Sequence, residues 1–546
     1  MWRAFGDRPC ALPDAFPPRY AMTHDQPSSI APRRAAMRVI PGLVFLLGTG
    51  LATPVDAQGP SAGAAGATEC SMARPLWYGD AEVGRPYGLG AWSTGRRADD
   101  PACERRIAGW VRTEWVSSQA SSRPDGLAAS GVGAVVSGSA GLLWRRGALE
   151  VRVMPEFAWH QNGDVDIPPS SLPGSRQYGY AWRPIDLPHR FGPDAFAEFG
   201  PGRSGVRLHF SEYSVGLDAE PVRWGPSRRY PLLLSGQQAS LPRVGVRTER
   251  PIGLGAAGSL DFNLIYARLT PSDWLALSAE AENRLMAGFT VAWAVGPLPG
   301  LSVGFSTLHH QDLDDFEFGS AFRFIQTPAQ DPDDNTVGNG IGNVWVAWSD
   351  ADAGLSVWAE WLKDDYNRDF TQLLLEPEKG TGRTIGLLQE VDAGGGRLSL
   401  HLESGSTRNT RPLTTDDDGV RHIAYSHSQV REGHTNRGQL LGAIVGSGGD
   451  GQFLEVAFAG KSRTAVQIER LRFNVDAYTE ILGEPLGDEG YDVELVGRLV
   501  HDRAVGDLRA RGTVEIGGRH NRLFLQNDPS WEGNVRFGLM LLWGES

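Results

Sequence analysis

The chain has 546 residues, of which 69 are Gly and 17 are Trp, and it carries a formal net charge of −13. That Gly share is well above the average of about 7%. A mean hydropathy of −0.28 excludes a polytopic helical membrane protein, and the acidic balance disfavours a nucleic-acid partner bound through a broad basic face.

Residues 1–57 read as a leader with a secretory signal peptide. Arg33, Arg34 and Arg38 supply a positive n-region, and the apolar h-region 39–52 is shorter than the roughly 20 residues of a spanning helix. Val55 and Ala57 fit the small-residue rule before a cleavage site. The alternative is an N-terminal anchor helix. Because Met37 alone opens a well-proportioned signal, residues 1–36 are either a long n-region or precede the true start. Residues 58–104 are expected to form an N-terminal periplasmic segment. Cys70 and Cys103 both survive the expected cleavage, and an even pair in an oxidising compartment is expected to form a disulfide.

From residue 105 to 546 the dominant period is two. Leu149, Val151, Val153, Phe157 and Trp159 lie on one face, opposite Glu150, Arg152, Glu156 and His160. The alternation recurs at 285–305, 344–361, 385–403 and 493–516, and the last strand carries Phe537, Leu539, Leu541 and Trp543. A soluble sandwich or propeller also alternates. Here, however, the second face is charged in strand after strand, and Trp144, Trp159, Tyr266, Trp293, Trp348, Trp361 and Trp543 sit near strand ends. Short turns (145–148, 296–300, 350–354, 392–397) separate long segments (161–204, 309–341, 364–382, 406–437). An apolar band with aromatic girdles and alternating connection lengths is the signature of an antiparallel transmembrane β-barrel in the outer membrane, in contact with its lipid. Candidate strands number about 18. An even count requires a weak strand near Arg421–Val430, through Ile423 and Tyr425.

Residues 185–252 carry a more specific pattern. Val222-Arg223-Trp224-Gly225-Pro226 leads into Leu232-Leu233-Leu234-Ser235, then Gln237-Gln238-Ala239 and Pro242. This resembles the capsule assembly Wzi family, in which a Trp-Gly-Pro turn precedes an apolar Leu-Leu-Ser stretch. The motif residues are Trp224, Gly225, Pro226, Leu233, Leu234 and Ser235. The resemblance implies an eighteen-stranded outer-membrane barrel acting as a surface lectin that attaches capsular polysaccharide to the cell. Read from the residues themselves, Trp224-Gly225-Pro226 is a turn. It belongs to a loop expected to fold in and constrict the barrel, with Arg223, Arg228 and Arg229 lining the lumen; direct glycan contact by the motif is the competing reading.

No Walker or His-Glu-x-x-His pattern occurs, so a non-enzymatic protein is expected, with no cofactor. His309-His310 with Asp312, Asp314, Asp315 and Glu317 reads as a hydrated acidic loop rather than a metal site, and Asp331–Asn335 lacks the Gly and Glu of a calcium loop. Sugar binding calls for aromatic platforms beside polar groups. The segment after strand 149–160 offers Tyr178, Tyr180, Trp182, Arg183, His189 and Arg190, with Trp159 and His160 at its base; girdle aromatics are the competing reading. Two functions remain: binding and anchoring of capsular or other surface polysaccharide, or a porin or solute-specific channel.

Overall fold

The computed structural model describes residues 105–118, 125–128, 131–168, 177–182, 184–275, 282–314, 338–364, 380–409, 423–427, 430–476, 490–525 and 530–544. The leader, Cys70, Cys103, Arg183 and the Asp331–Asn335 segment lie outside them.

The strands form one closed antiparallel barrel of eighteen. They are β1 (Arg105–Val116), β2 (Gly133–Arg146), β3 (Leu149–Val153, resumed as Glu156–His160), β4 (Phe196–Gly200, resumed as Gly205–His209), β5 (Tyr213–Asp218) and β6 (Arg243–Thr248). There follow β7 (Gly258–Leu269), β8 (Arg284–Val295), β9 (Leu301–Asp312), β10 (Gly338–Asp350), β11 (Leu355–Asp364) and β12 (Thr381–Ala393). The circuit ends with β13 (Gly396–Ser406), β14 (Asp450–Ala459), β15 (Ser462–Phe473), β16 (Asp492–Val505), β17 (Leu508–His520) and β18 (Trp531–Trp543). Each strand pairs with its sequence neighbours, and β18 closes on β1 from Gly109↔Trp543 to Val116↔Arg536. Closure removes the free edges that a hydrocarbon layer cannot solvate.

Connections alternate around the whole circuit. From β2 to β3, and at every second junction after it, the chain turns within at most nine residues; the other connections are longer and lie at the opposite rim. In outer-membrane barrels the long connections are extracellular.

The two strand faces separate as the period requires. Ile385, Val466, Ile468, Leu495, Ile516, Phe537 and Leu539 point outward and are exposed, whereas Glu360, Glu403, Glu455, Glu469, Arg498 and Glu515 point inward and are buried. The inward charges meet across neighbouring strands. Arg511 Nη2 lies 2.7 Å from Asp502 Oδ2, and Arg519 Nε lies 2.6 Å from Asp492 Oδ1.

The expected strand near Arg421–Val430 is not formed by its described residues. Residues 423–427 are turn and coil, and Tyr425 is fully buried with a left-handed φ of 74°. The even count comes instead from β4, β5 and β6, of which β4 begins inside the expected 161–204 connection. Tyr425 belongs to the connection between β13 and β14, which packs inside the barrel. Its apolar residues reflect lumen burial rather than a lipid-facing strand.

Candidate functional site: a filled lumen and a cavity at its long-connection mouth

Two connections pack into the lumen, residues 219–242 and the described part of 407–449. Tyr230, Leu232, Leu233, Leu234, Tyr425, Leu441 and Val445 are all fully buried. They pack with the inward Ile265, Leu308, Ile341, Trp345, Trp358 and Leu362 of the wall.

A segment inside a barrel must satisfy its backbone donors there, and carboxylates on the strands do so. Glu360 on β11 accepts from Ser227 N (2.7 Å) and Leu232 N (3.3 Å). Glu403 on β13 accepts from Arg228 N (3.0 Å), Arg229 N (3.0 Å) and Tyr230 N (2.7 Å). The motif residues Trp224, Gly225 and Pro226 form the buried turn entering this run, and Arg223–Trp224 pairs with Leu234–Ser235 as a two-stranded ribbon. Gly225 has φ 96°, and a Cβ there would lie 2.5 Å from Glu360 Oε1. Of the three Arg expected in the lumen, Arg229 meets Glu469, and Arg228 stacks over Trp358 at 5.8 Å.

The two lumen segments are joined through His434. Its Nε2 lies 2.6 Å from the Leu233 carbonyl and its Nδ1 lies 3.0 Å from His310 Nε2. The carbonyl can only accept, so Nε2 carries the proton and Nδ1 accepts from His310. Burial, and secondarily Arg284, holds the His434 pKa down to about 4. His309 and His310 are therefore buried side chains of β9, not members of a hydrated acidic loop. No group of three metal-ligating side chains occurs among the described residues.

Beside these segments, at the long-connection rim, lies a cavity of about 120 Å³. Of the sequence-selected residues it gathers His160, Tyr180, His189 and Arg190, together with the motif residue Ser235. His160 stacks on Phe196 at 4.4 Å, and Tyr180 lies 5.3 Å from the His189 ring. Asn162, left-handed at φ 52°, donates to the carbonyls of Phe191, Gly192 and Asp194 at 2.9–3.0 Å and fixes the arc of chain around the cavity. Arg190 donates to the Asn162 and Pro193 carbonyls, each at 2.7 Å. His189 Nε2 accepts from Ala181 N at 3.2 Å, and burial, then Arg522 and Arg519, pushes its pKa down to about 3.

The other selected residues lie elsewhere. Tyr178 packs edge-on to Trp274 at 5.3 Å and carries Arg190 over its ring, and Trp182 meets Phe524 at 5.8 Å. Trp159 projects from the outer face of β3, 41% exposed, a girdle position. Gln237, which follows the Leu-Leu-Ser stretch of the sequence pattern, also lines the cavity, as do Asn474, Arg519 and Arg522, which sequence reasoning missed because they carry no local signal.

No protein family matches the sequence, and no curated protein matches it. Among solved structures, the chain is similar to Wzi of Escherichia coli, described as a carbohydrate-binding β-barrel and an outer membrane protein involved in group 1 capsule assembly. The two share 12% identity over 80% of this chain and 84% of that one, with a TM-score of 0.54. Acinetobacter baumannii OccAB4 matches at 7% identity over 80% of this chain and 98% of that one, TM-score 0.38. A BenF-like porin from Pseudomonas fluorescens Pf-5 matches at 9% identity over 80% and 99%, TM-score 0.37. The likeness to Wzi is one of fold. A closed eighteen-stranded barrel of this kind is a protein of the bacterial outer membrane.

Proposed function

We propose that this chain is a non-enzymatic surface protein that binds and anchors capsular or other surface polysaccharide, as the resemblance to the Wzi family implies. The observation that carries the reading is the filled lumen. A porin needs a continuous water path, whereas here Tyr230, Leu232, Leu233, Leu234 and Tyr425 are fully buried between the walls. Their backbone is tied to strand carboxylates rather than left to water. With the lumen occupied, the surface offered to the outside is the long-connection rim and its cavity. Aromatic rings and hydrogen-bonding groups stand there together, the combination that sugar rings and hydroxyls require.

Planar-bilayer recording of the purified protein at pH 7 tests the reading. A filled barrel stays closed, with brief openings at most. Steady ohmic conductance, or slower uptake of a small solute when the protein is deleted, would favour the solute-channel reading instead.

A further inference from the structure

We infer that the rim cavity receives a carboxylate-bearing sugar unit of the polymer, with Arg522 as its anion partner. This rests on the polysaccharide reading and specifies the chemistry of the unit bound.

Three guanidinium groups line the cavity: Arg190, Arg519 and Arg522. Two are matched by anions. Arg190 Nη1 lies 2.7 Å from Asp164, and Arg519 forks onto Asp492 at 2.6 and 2.7 Å. Arg522 is not. It is only 7% exposed, it meets no carboxylate within ion-pair distance among the described residues, and its hydrogen bond is from Nη2 to the backbone carbonyl of Asp166 at 2.6 Å. Glu532, Asp492 and Asp166 act on Arg522 only from beyond ion-pair distance, so among the described residues no carboxylate engages its fork directly, and that fork matches a ligand carboxylate bidentately.

The local backbone holds it there. Asn521, Leu523 and Phe524 on either side of Arg522 all have positive φ, at 49°, 52° and 56°. That conformation is uncommon for bulky side chains and marks a turn shaped by its surroundings. Leu523 N, donating to Asp492 Oδ2 at 3.0 Å, anchors the turn to the carboxylate that already holds Arg519. Asp492 is therefore committed elsewhere.

A second group lacks a partner. Gln237 lines the same cavity, the residue is 6% exposed, and its buried Oε1 has no hydrogen-bond partner among the described residues. A buried amide oxygen requires a donor, and a sugar hydroxyl supplies one. Phe191, Phe196 and Phe473 give the cavity apolar walls. Its 120 Å³ far exceeds the roughly 10–15 Å³ that a single water needs, so the cavity can admit a ligand group, with the rest of the chain running out across the rim.

The test uses the purified full-length protein in detergent and the producing cell's own surface polysaccharide, before and after carbodiimide–borohydride reduction of its carboxylates. The native polymer is expected to bind at least about tenfold more tightly than the reduced one, the weight of a charge-assisted hydrogen bond. Arg522→Gln should lose that difference, binding both forms alike. Arg522→Lys keeps the charge without the fork and should fall between. Each variant is checked for the heat-resistant electrophoretic mobility of a folded barrel. Equal binding of native and reduced polymer by the parent protein, or an unchanged preference in folded Arg522→Gln, overturns the carboxylate inference and leaves polysaccharide binding standing. If neither form binds, both readings fall.

Discussion

Arg229, carried into the lumen by the inward-folded 219–242 segment, lies against Glu469 of β15, with Nε 2.6 Å from Oε1 and both side chains buried. The same carboxylate accepts from the Tyr230 hydroxyl at 2.9 Å and from Arg498 Nη2 of β16 at 3.0 Å. One anion therefore ties the filling of the barrel to its wall. Glu469→Ala would leave two guanidinium groups buried without it, at an expected cost of about 3–5 kcal/mol. Denaturant unfolding in detergent measures this. Arg229→Met combined with Glu469→Met should recover part of the loss, and a loss below about 1 kcal/mol in the single variant would show that the segment is held by other contacts.

Acid should loosen the lumen segments through His434. Its pKa of about 4 in the folded protein lies below the value near 6.5 of an unperturbed histidine. The undocked state therefore binds more protons between the two values. Docking is at full strength above about pH 6.5 and weakens as pH falls toward 4, by about 1.4 kcal/mol per pH unit in that window. The added proton must enter at Nδ1, where His310 already donates, so two donors would face each other across 3.0 Å. Bilayer current or protease cleavage of the 423–449 segment should rise through this range. His434→Gln cannot charge and should flatten the response; identical acid responses in parent and variant would assign the effect elsewhere.

Gly225 stands where its positive φ and the nearness of Glu360 both exclude a side chain. Gly225→Ala is expected to destabilise the protein by about 1–3 kcal/mol and to increase leak current, while Pro226→Ala changes stability by less than about 1 kcal/mol. Equal effects of the two substitutions would remove the special role of the turn.

Ile468 is 49% exposed on the outer face of β15 between the inward Gln467 and Glu469. If that face meets lipid, Ile468→Arg should cost about 2–4 kcal/mol when the barrel refolds into vesicles. Undiminished refolding would place this face in water.

The period-two alternation exposed most of the barrel in the sequence because each such strand has one lipid face and one charged lumen face. It failed where strands are short or interrupted. β5 and β6 have six residues each, and β4 is split in two, so few alternations accumulate. It also failed at Ile423 and Tyr425, where apolar residues fill the lumen and mimic a strand. The arc with Tyr180, His189 and Arg190 was visible as a cluster of stacking and basic residues. Arg522 was not, since it reaches the cavity from the β17–β18 connection, far from that arc in sequence, and only the closed barrel brings the two together.

The most direct test of the account is the distribution of surface polymer in cells lacking this protein. The account predicts that polymer shifts from the cell-associated fraction to the medium while its total stays constant, and that the intact protein restores the original distribution. Unchanged retention in the deletion, or a fall in total polymer, would contradict an anchoring role.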